Sequence, residues 1–222
     1  MFLWTDLRML IVHPSRGLAE IAARRRGDQA ALALGLSLLL PAVFAELAAF
    51  APYRPPANLG SLPSLTAQGA DIYARWVYLH RFWIPIVEVL IGLLLWLVAG
   101  VLIHLGARAL KGQGDLPGYF KLIGFVALVG LVPVPVSALD AFARLSSNAR
   151  AAAAIGSLAG LTGVAVFLWQ NGLLILAAQA HYGLSMPRAM TAVVGPIGCL
   201  VVLGIALLLL VAIAAVLGRG TP

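Results

Sequence analysis

The sequence predicts an all-α, polytopic transmembrane helical bundle of about five spans, entered through a short N-terminal amphipathic interfacial helix. Three observations carry this. Hydrophobic residues make up 62% of the 222 and charged residues only 10%, and the mean hydropathy is +0.99. A single soluble core of this size would leave much of that apolar surface in water, so lipid must be the main solvent. Five apolar stretches meet or approach the roughly 20 residues that carry a helix across the hydrocarbon of a bilayer. The basic residues, which give a formal net charge of +7, sit in short clusters beside these stretches. That is a juxtamembrane pattern and argues against nucleic acid as a partner.

The predicted spans run from Gln29 to Ala51, Trp83 to Leu110, Phe120 to Phe142, Ala152 to Ala180 and Ala189 to Leu217. They make residues 29–217 one transmembrane domain, preceded by a cytoplasmic segment, 1–28, and followed by a short tail, 218–222. In the third span Pro133 and Pro135 remove two backbone donors and crowd the preceding turn, which predicts a kink or a broken helix. Pro41 and Pro196 predict milder bends. Lipid tolerates such bends only where protein or trapped water satisfies the freed carbonyls, so these sites are expected to face protein.

Upstream of the first span, Pro14 is a suitable first helical residue. Leu18, Ile21 and Ala22 fall on one face, with Arg16, Glu20 and Arg24 mostly on another, which predicts a short amphipathic helix on the inner leaflet. A secretory signal is not expected, since Asp6 and Arg8 interrupt the first apolar residues. Between the first two spans, residues 52–82 are rich in proline and small polar residues and read as an external loop. Its last part interleaves Ile72, Tyr73, Trp76, Val77 and Leu79 with Asp71, Arg75 and Arg81 at helical spacing, as a segment along the membrane surface would.

Orientation follows from basic residues, which are retained on the cytoplasmic side. With the N-terminus inside, that side holds Arg8, Arg16, Arg24, Arg25, Arg26, Arg108, Lys111, Lys121 and Arg188. The opposite side holds Arg54, Arg75, Arg81, Arg144, Arg150 and Arg219. The Arg24, Arg25, Arg26 triplet next to the first span weighs most, so the N-terminus is expected in the cytoplasm and the C-terminus outside. The triplet is a candidate contact for anionic lipid headgroups, or a topogenic flank and nothing more.

Acidic residues inside spans are the candidates for chemistry, because a charge at the bilayer centre costs on the order of 3 kcal/mol and tends to face protein or water. Glu46, Glu88 and Asp140 fall at similar depth, near the outer ends of three spans. They form a candidate polar or transport cluster, with Arg81 or Arg144 as counter-charges; the alternative is that each reaches water or a local partner at the interface. No nucleophile accompanies these carboxylates, so no catalytic residue is expected and the chain reads as non-enzymatic.

The sole cysteine, Cys199, excludes an intramolecular disulfide, and His13, His80, His104 and His181 have no close ligand spacing. No metal site and no cofactor is expected. His104 in the second span, and Gln170 with Asn171 in the fourth, join helices by hydrogen bonds or line a pathway. Gly156 and Gly160, extended by Ala152 and Gly163, make a candidate helix-packing face, within one chain or between two.

Two stretches resemble the Yip1 domain family of five-span membrane proteins. GARALKGQGDLPGYFKLIGFVALVGLVP, residues 106–133, is similar to the family's glycine-containing cytoplasmic turn, then an aromatic and a basic residue, then an apolar span reaching a proline. FLWQNGLLILAAQAHYGLSMPRAM, residues 167–190, is similar to its tryptophan-bearing span and the short loop before the final helix. HPSRGLAEIA, residues 13–22, resembles the segment before the first span. The resemblance implies a helical bundle with a cytosolic N-terminus and, in eukaryotic relatives, membrane traffic through Rab GTPases. A long cytosolic N-terminal region is lacking here, which puts a GTPase partner in doubt. The alanine-rich, lysine-poor composition points to a bacterial inner membrane. The expected function is a scaffold that organises lipid or binds other membrane proteins or itself. The alternative, from a different class, is a small transporter or a conductor of ions or protons using the three carboxylates.

Overall fold

The computed structural model describes residues 2–53, 64–146 and 149–196, with 198, 202 and 206 beyond them. Most of the fifth predicted span, Cys199 and the C-terminal tail lie outside the described residues, as does 54–63 of the external loop. Among the described residues all regular structure is helical. The chain runs through α1 (Phe2–Val12), α2 (Pro14–Arg24), α3 (Gly27–Ala48), α4 (Ser64–Leu79), α5 (Ile84–Ala109), α6 (Leu116–Val126), a 3₁₀ turn (Ala127–Leu131), α7 (Val134–Leu145) and α8 (Ala149–Tyr182). A last helix, α9, occupies 186–196.

Three helices are long and apolar enough to cross a bilayer: Gly27–Ala48, Ile84–Ala109 and Arg150–Tyr182. A fourth crossing results if Leu116–Leu131 and Val134–Leu145 are taken as one bent span. The bend between them is 42°, and it falls where Pro133 and Pro135 withdraw their donors. The preceding segment tightens into the 3₁₀ turn before the chain turns and restarts as α7 on Val134 and Pro135.

The spans alternate in direction, so the molecule has two ends. The near end gathers α2, the start of α6, the turn between α5 and α6, and the last turn of α8. The far end gathers α4, the last turn of α3, the start of α5 and α7. The core is concentrated toward the near end, where Tyr119, Leu122, Ile123, Phe125 and Val126 of α6 pack with Leu18 and Ile21 of α2 and with Leu173, Ala177 and Ala178 of α8. Each of these side chains is almost wholly removed from the surface.

The N-terminal region differs from expectation in two ways. An additional helix, α1, precedes α2 and doubles back on it, the two approaching so closely that a β-carbon at Gly17 would stand 3.1 Å from the Met9 carbonyl carbon. The apolar face of α2 is covered by protein rather than lipid: Leu18 and Ile21 are buried in the core. Leu3, Leu7 and Leu10 of α1 join the same core, while Trp4, Ile11 and Val12 stay exposed on its other side.

Candidate functional site

The near end is held by tight polar and aromatic packing. Helix α5 ends in a Schellman arrangement, with the Gly112 N–H donating to the Ala107 carbonyl at 2.8 Å and the Lys111 N–H to the Arg108 carbonyl at 3.0 Å. Lys111 sits at φ 68 to make it. Asp115 then caps α6, its carboxylate accepting from the Gly118 N–H at 3.1 Å. That hydrogen bond holds the Asp115 carboxyl below its ordinary range.

The last turn of α8 plugs into this turn. His181 Nε2 donates to the Asp115 carbonyl at 2.7 Å, and the Gln113 N–H donates to the Tyr182 carbonyl at 3.1 Å. His104 of α5 hydrogen-bonds the Tyr182 hydroxyl through Nδ1 at 2.7 Å. The seat is made of glycine. A β-carbon at Gly118 would stand 2.5 Å from His181 Cε1, one at Gly114 2.5 Å from His181 Cδ2 and 2.7 Å from the His181 carbonyl oxygen, and one at Gly112 2.8 Å from Tyr182 Cβ. The two sequence stretches that carry the family resemblance therefore meet in space, and His181, Tyr182 and the three glycines are among the residues by which they meet.

Of the basic triplet at this end, Arg24 is exposed. The Arg25 guanidinium is taken up by the buried Asp6, Nη2 donating to Oδ1 at 3.0 Å and Nε standing 2.9 Å from Oδ2, an ion-pair contact outside hydrogen-bond alignment. Arg26 pairs with Asp28 at 3.2 Å in the open. Lys121 donates to the Ala22 carbonyl at 2.8 Å, a cation on the exposed last turn of α2.

The far end is looser. A cavity of about 370 Å³ lies between α3, α5, α7 and α8, and both Glu88 and Asp140 line it. Glu46 does not: it stands on α3 outside the lining, so two of the three predicted carboxylates share this cavity. Arg144 is the counter-charge of Asp140, Nε donating to Oδ2 at 2.7 Å. Asp140 Oδ1 is buried with no hydrogen-bond partner among the described residues. Arg81 has a different task from the one expected of it: it donates to the Ala49 carbonyl at 2.8 Å and so caps the C-terminus of α3.

A second cavity of about 310 Å³ adjoins the first toward the core. Ser37 and Leu38 line both. The buried Ser37 hydroxyl donates to the Leu34 carbonyl at 2.7 Å, and Pro41, one turn on, deprives the Ser37 carbonyl of its usual helical donor. The inner cavity is otherwise lined by apolar side chains with two polar groups, Gln170 and Trp96. Trp96 Nε1 has no acceptor among the described residues. The other deep polar groups are settled locally, His104 on Tyr182 and Asn171 on the Phe167 carbonyl at 2.8 Å. The inner cavity was missed from sequence; Ser37 one turn before Pro41 was the available signal.

The small-residue face of α8 is divided. Ala152 is half-buried, and a β-carbon at Gly156 would stand 3.6 Å from Asp140 Oδ1, so this part faces α7. Gly160 and Gly163 are exposed, with nothing among the described residues within 4 Å of where their β-carbons would be. Among the described residues no three His, Cys, Asp or Glu gather where they could hold a metal ion.

The carboxylates and cavities equip the far end to hold a polar or cationic group at membrane depth, next to apolar space. Comparison with known proteins gives the frame for this. No curated protein and no solved structure matches the chain. The family model of the Yip1 domain matches residues 8–217, nearly the whole length and both stretches that meet at the near end. The chain belongs to the Yip1 domain family, as an integral membrane protein built of apolar helices.

Proposed function

We propose that this protein is a non-enzymatic membrane scaffold of the Yip1 type, which binds another membrane protein or a second copy of itself through the outer half of α8. The observation that carries the reading is the exposure of that half. No residue from Arg150 to Gly172 is buried among the described residues, and Gly160 and Gly163 offer a surface on which another helix can approach backbone to backbone. The chain resides in a cell inner membrane with its N-terminus in the cytoplasm, and Ala189 to Leu217 completes five spans with the C-terminus opposite. Arg24 and Arg26 are the cations of the triplet available to anionic headgroups.

Crosslinking in native membranes is expected to capture a homo-oligomer or one defined partner, and Gly160→Leu with Gly163→Leu is expected to abolish the product. A lone monomer, repeatedly, would count against the reading. Reporter fusions at Gly114, Asn148 and the C-terminus test the topology: the first is expected to report cytoplasm and the other two the outside.

Conduction of a proton or a cation is the second reading, favoured by the shared cavity of Glu88 and Asp140. Flux into proteoliposomes that falls when Glu88 and Asp140 are neutralised would establish it. Absence of flux in the unaltered protein leaves the scaffold alone.

A further inference from the structure

The outer cavity carries two carboxylates and one guanidinium. Glu88 is exposed at its rim. Asp140 is deeper, and among the described residues only one of its two oxygens is satisfied, by Arg144. A buried carboxylate oxygen with no donor is costly, and a group with N–H donors placed in the cavity removes that cost. Arg144 is half-exposed and spends its Nε on Asp140, leaving its outer face to an anion. A ligand matched to this end therefore carries both signs, an ammonium with N–H donors for the carboxylates and an anionic group for the guanidinium.

The inner cavity asks for something else. Past the shared Ser37 and Leu38, its walls are Leu34, Ile123, Val126 and Leu174, apolar side chains of the bundle interior. They need a hydrocarbon occupant. Trp96 Nε1, buried there without an acceptor among the described residues, calls for an oxygen on that occupant. The two cavities thus ask for an ammonium and an anion at the rim and for hydrocarbon with an acceptor oxygen farther in. The cavities open among helices that cross the bilayer, so the source of such a molecule is the membrane itself.

We infer that the two cavities form one binding site for a zwitterionic phospholipid whose headgroup bears a primary ammonium. The ammonium sits at Asp140 and Glu88, the phosphate faces Arg144, an ester carbonyl accepts from Trp96, and one acyl chain enters the inner cavity. A quaternary ammonium fits poorly, because its methyl groups cannot donate to Asp140 Oδ1. The site borders the α8 surface proposed for partners, Ala159 lining the outer cavity and Gln170 the inner one.

The test uses the full chain with Trp96 as its sole tryptophan, the other four being replaced by phenylalanine, in vesicles of phosphatidylcholine. A fraction of the lipid carries brominated acyl chains, on phosphatidylethanolamine in one series and on phosphatidylcholine in the other. Brominated phosphatidylethanolamine is expected to quench Trp96 at least about twofold more at equal mole fraction. Equal quenching overturns the proposal. The selectivity is expected to disappear in Glu88→Gln with Asp140→Asn, and its survival there also overturns the proposal. If that double variant fails to fold, the conservative Asp140→Glu serves, with selectivity expected to be reduced but present. Free ethanolamine is expected to leave the selective quenching unchanged; its loss would assign the site to a soluble amine rather than to a lipid.

Discussion

The two ends of the bundle are built on opposite principles. At the near end three glycines admit His181 and Tyr182 so closely that no β-carbon fits between. The core there excludes solvent from Tyr119, Leu122 and Phe125. At the far end two adjoining cavities remain. Buried polar atoms with no hydrogen-bond partner among the described residues occur at both ends, Asp6 Oδ2 and the Tyr119 hydroxyl at the near end and Asp140 Oδ1 and Trp96 Nε1 at the far end. Close packing concentrates stability, whereas cavities are where binding can gain. The contrast assigns rigidity to the near end and ligand chemistry to the far end, and it can be broken by substitutions in either.

The largest effect is expected from Asp6→Ala, which strips the buried partner from Arg25 and unhooks α1 from α2. A loss of about 3 kcal/mol follows from breaking a largely buried pair, read by chemical unfolding in detergent. A change near zero would show that the hairpin is not anchored there. Gly114→Ala comes next, at about 2 kcal/mol, since its β-carbon meets the His181 carbonyl oxygen as well as the ring, and backbone cannot swing aside. The same unfolding measurement reads it, and a neutral result would deny the near end its rigidity.

Asp115→Ala is expected to cost about 1 kcal/mol, the ordinary worth of an N-cap. Because the Asp115 carboxyl titrates below its unfolded value, its contribution is fully present above the unfolded carboxylate range and fades as pH falls through the lower, folded value. Acid unfolding of the unaltered protein and of Asp115→Ala should therefore converge at the lowest pH. The smallest effect belongs to the far end: Arg75→Ala removes a mostly exposed pair with Asp71 within one helix and is expected to change stability by about 0.5 kcal/mol or less.

Much of the fold was legible because a bilayer imposes a length and a composition, and α3, α5 and α8 meet both without interruption. The bend at Pro133 was legible from the missing donors alone. Helix α1 was not, because Asp6 and Arg8 break its apolar run. Leu3, Leu7 and Leu10 lie on one face, but Asp6 makes sense only once Arg25, nineteen residues on, folds back against it. The far-end site was half legible. Depth along the spans brought Glu88 and Asp140 to one level, but rotation about each helix decides which carboxylate faces inward, and that left Glu46 outside the cavity. The near-end junction was visible only as two separate glycine- and aromatic-bearing stretches. Their meeting joins Asp115 to His181, a separation of 66 residues, and long-range contact of that kind leaves no mark in local spacing.

The most direct test of a closed near end and an open far end is thiol labelling of the protein in vesicles of phosphatidylcholine, whose headgroup fits the outer cavity poorly. Cys199 is replaced by alanine, and single cysteines are placed at Ser137 and Ala159 of the outer cavity and at Leu122 and Ala178 of the near-end core. A small, water-soluble, charged thiol reagent is expected to modify the first pair readily and to leave the second unmodified until the protein is unfolded. Equal modification of the two pairs, or labelling confined to Leu122 and Ala178, would contradict the account.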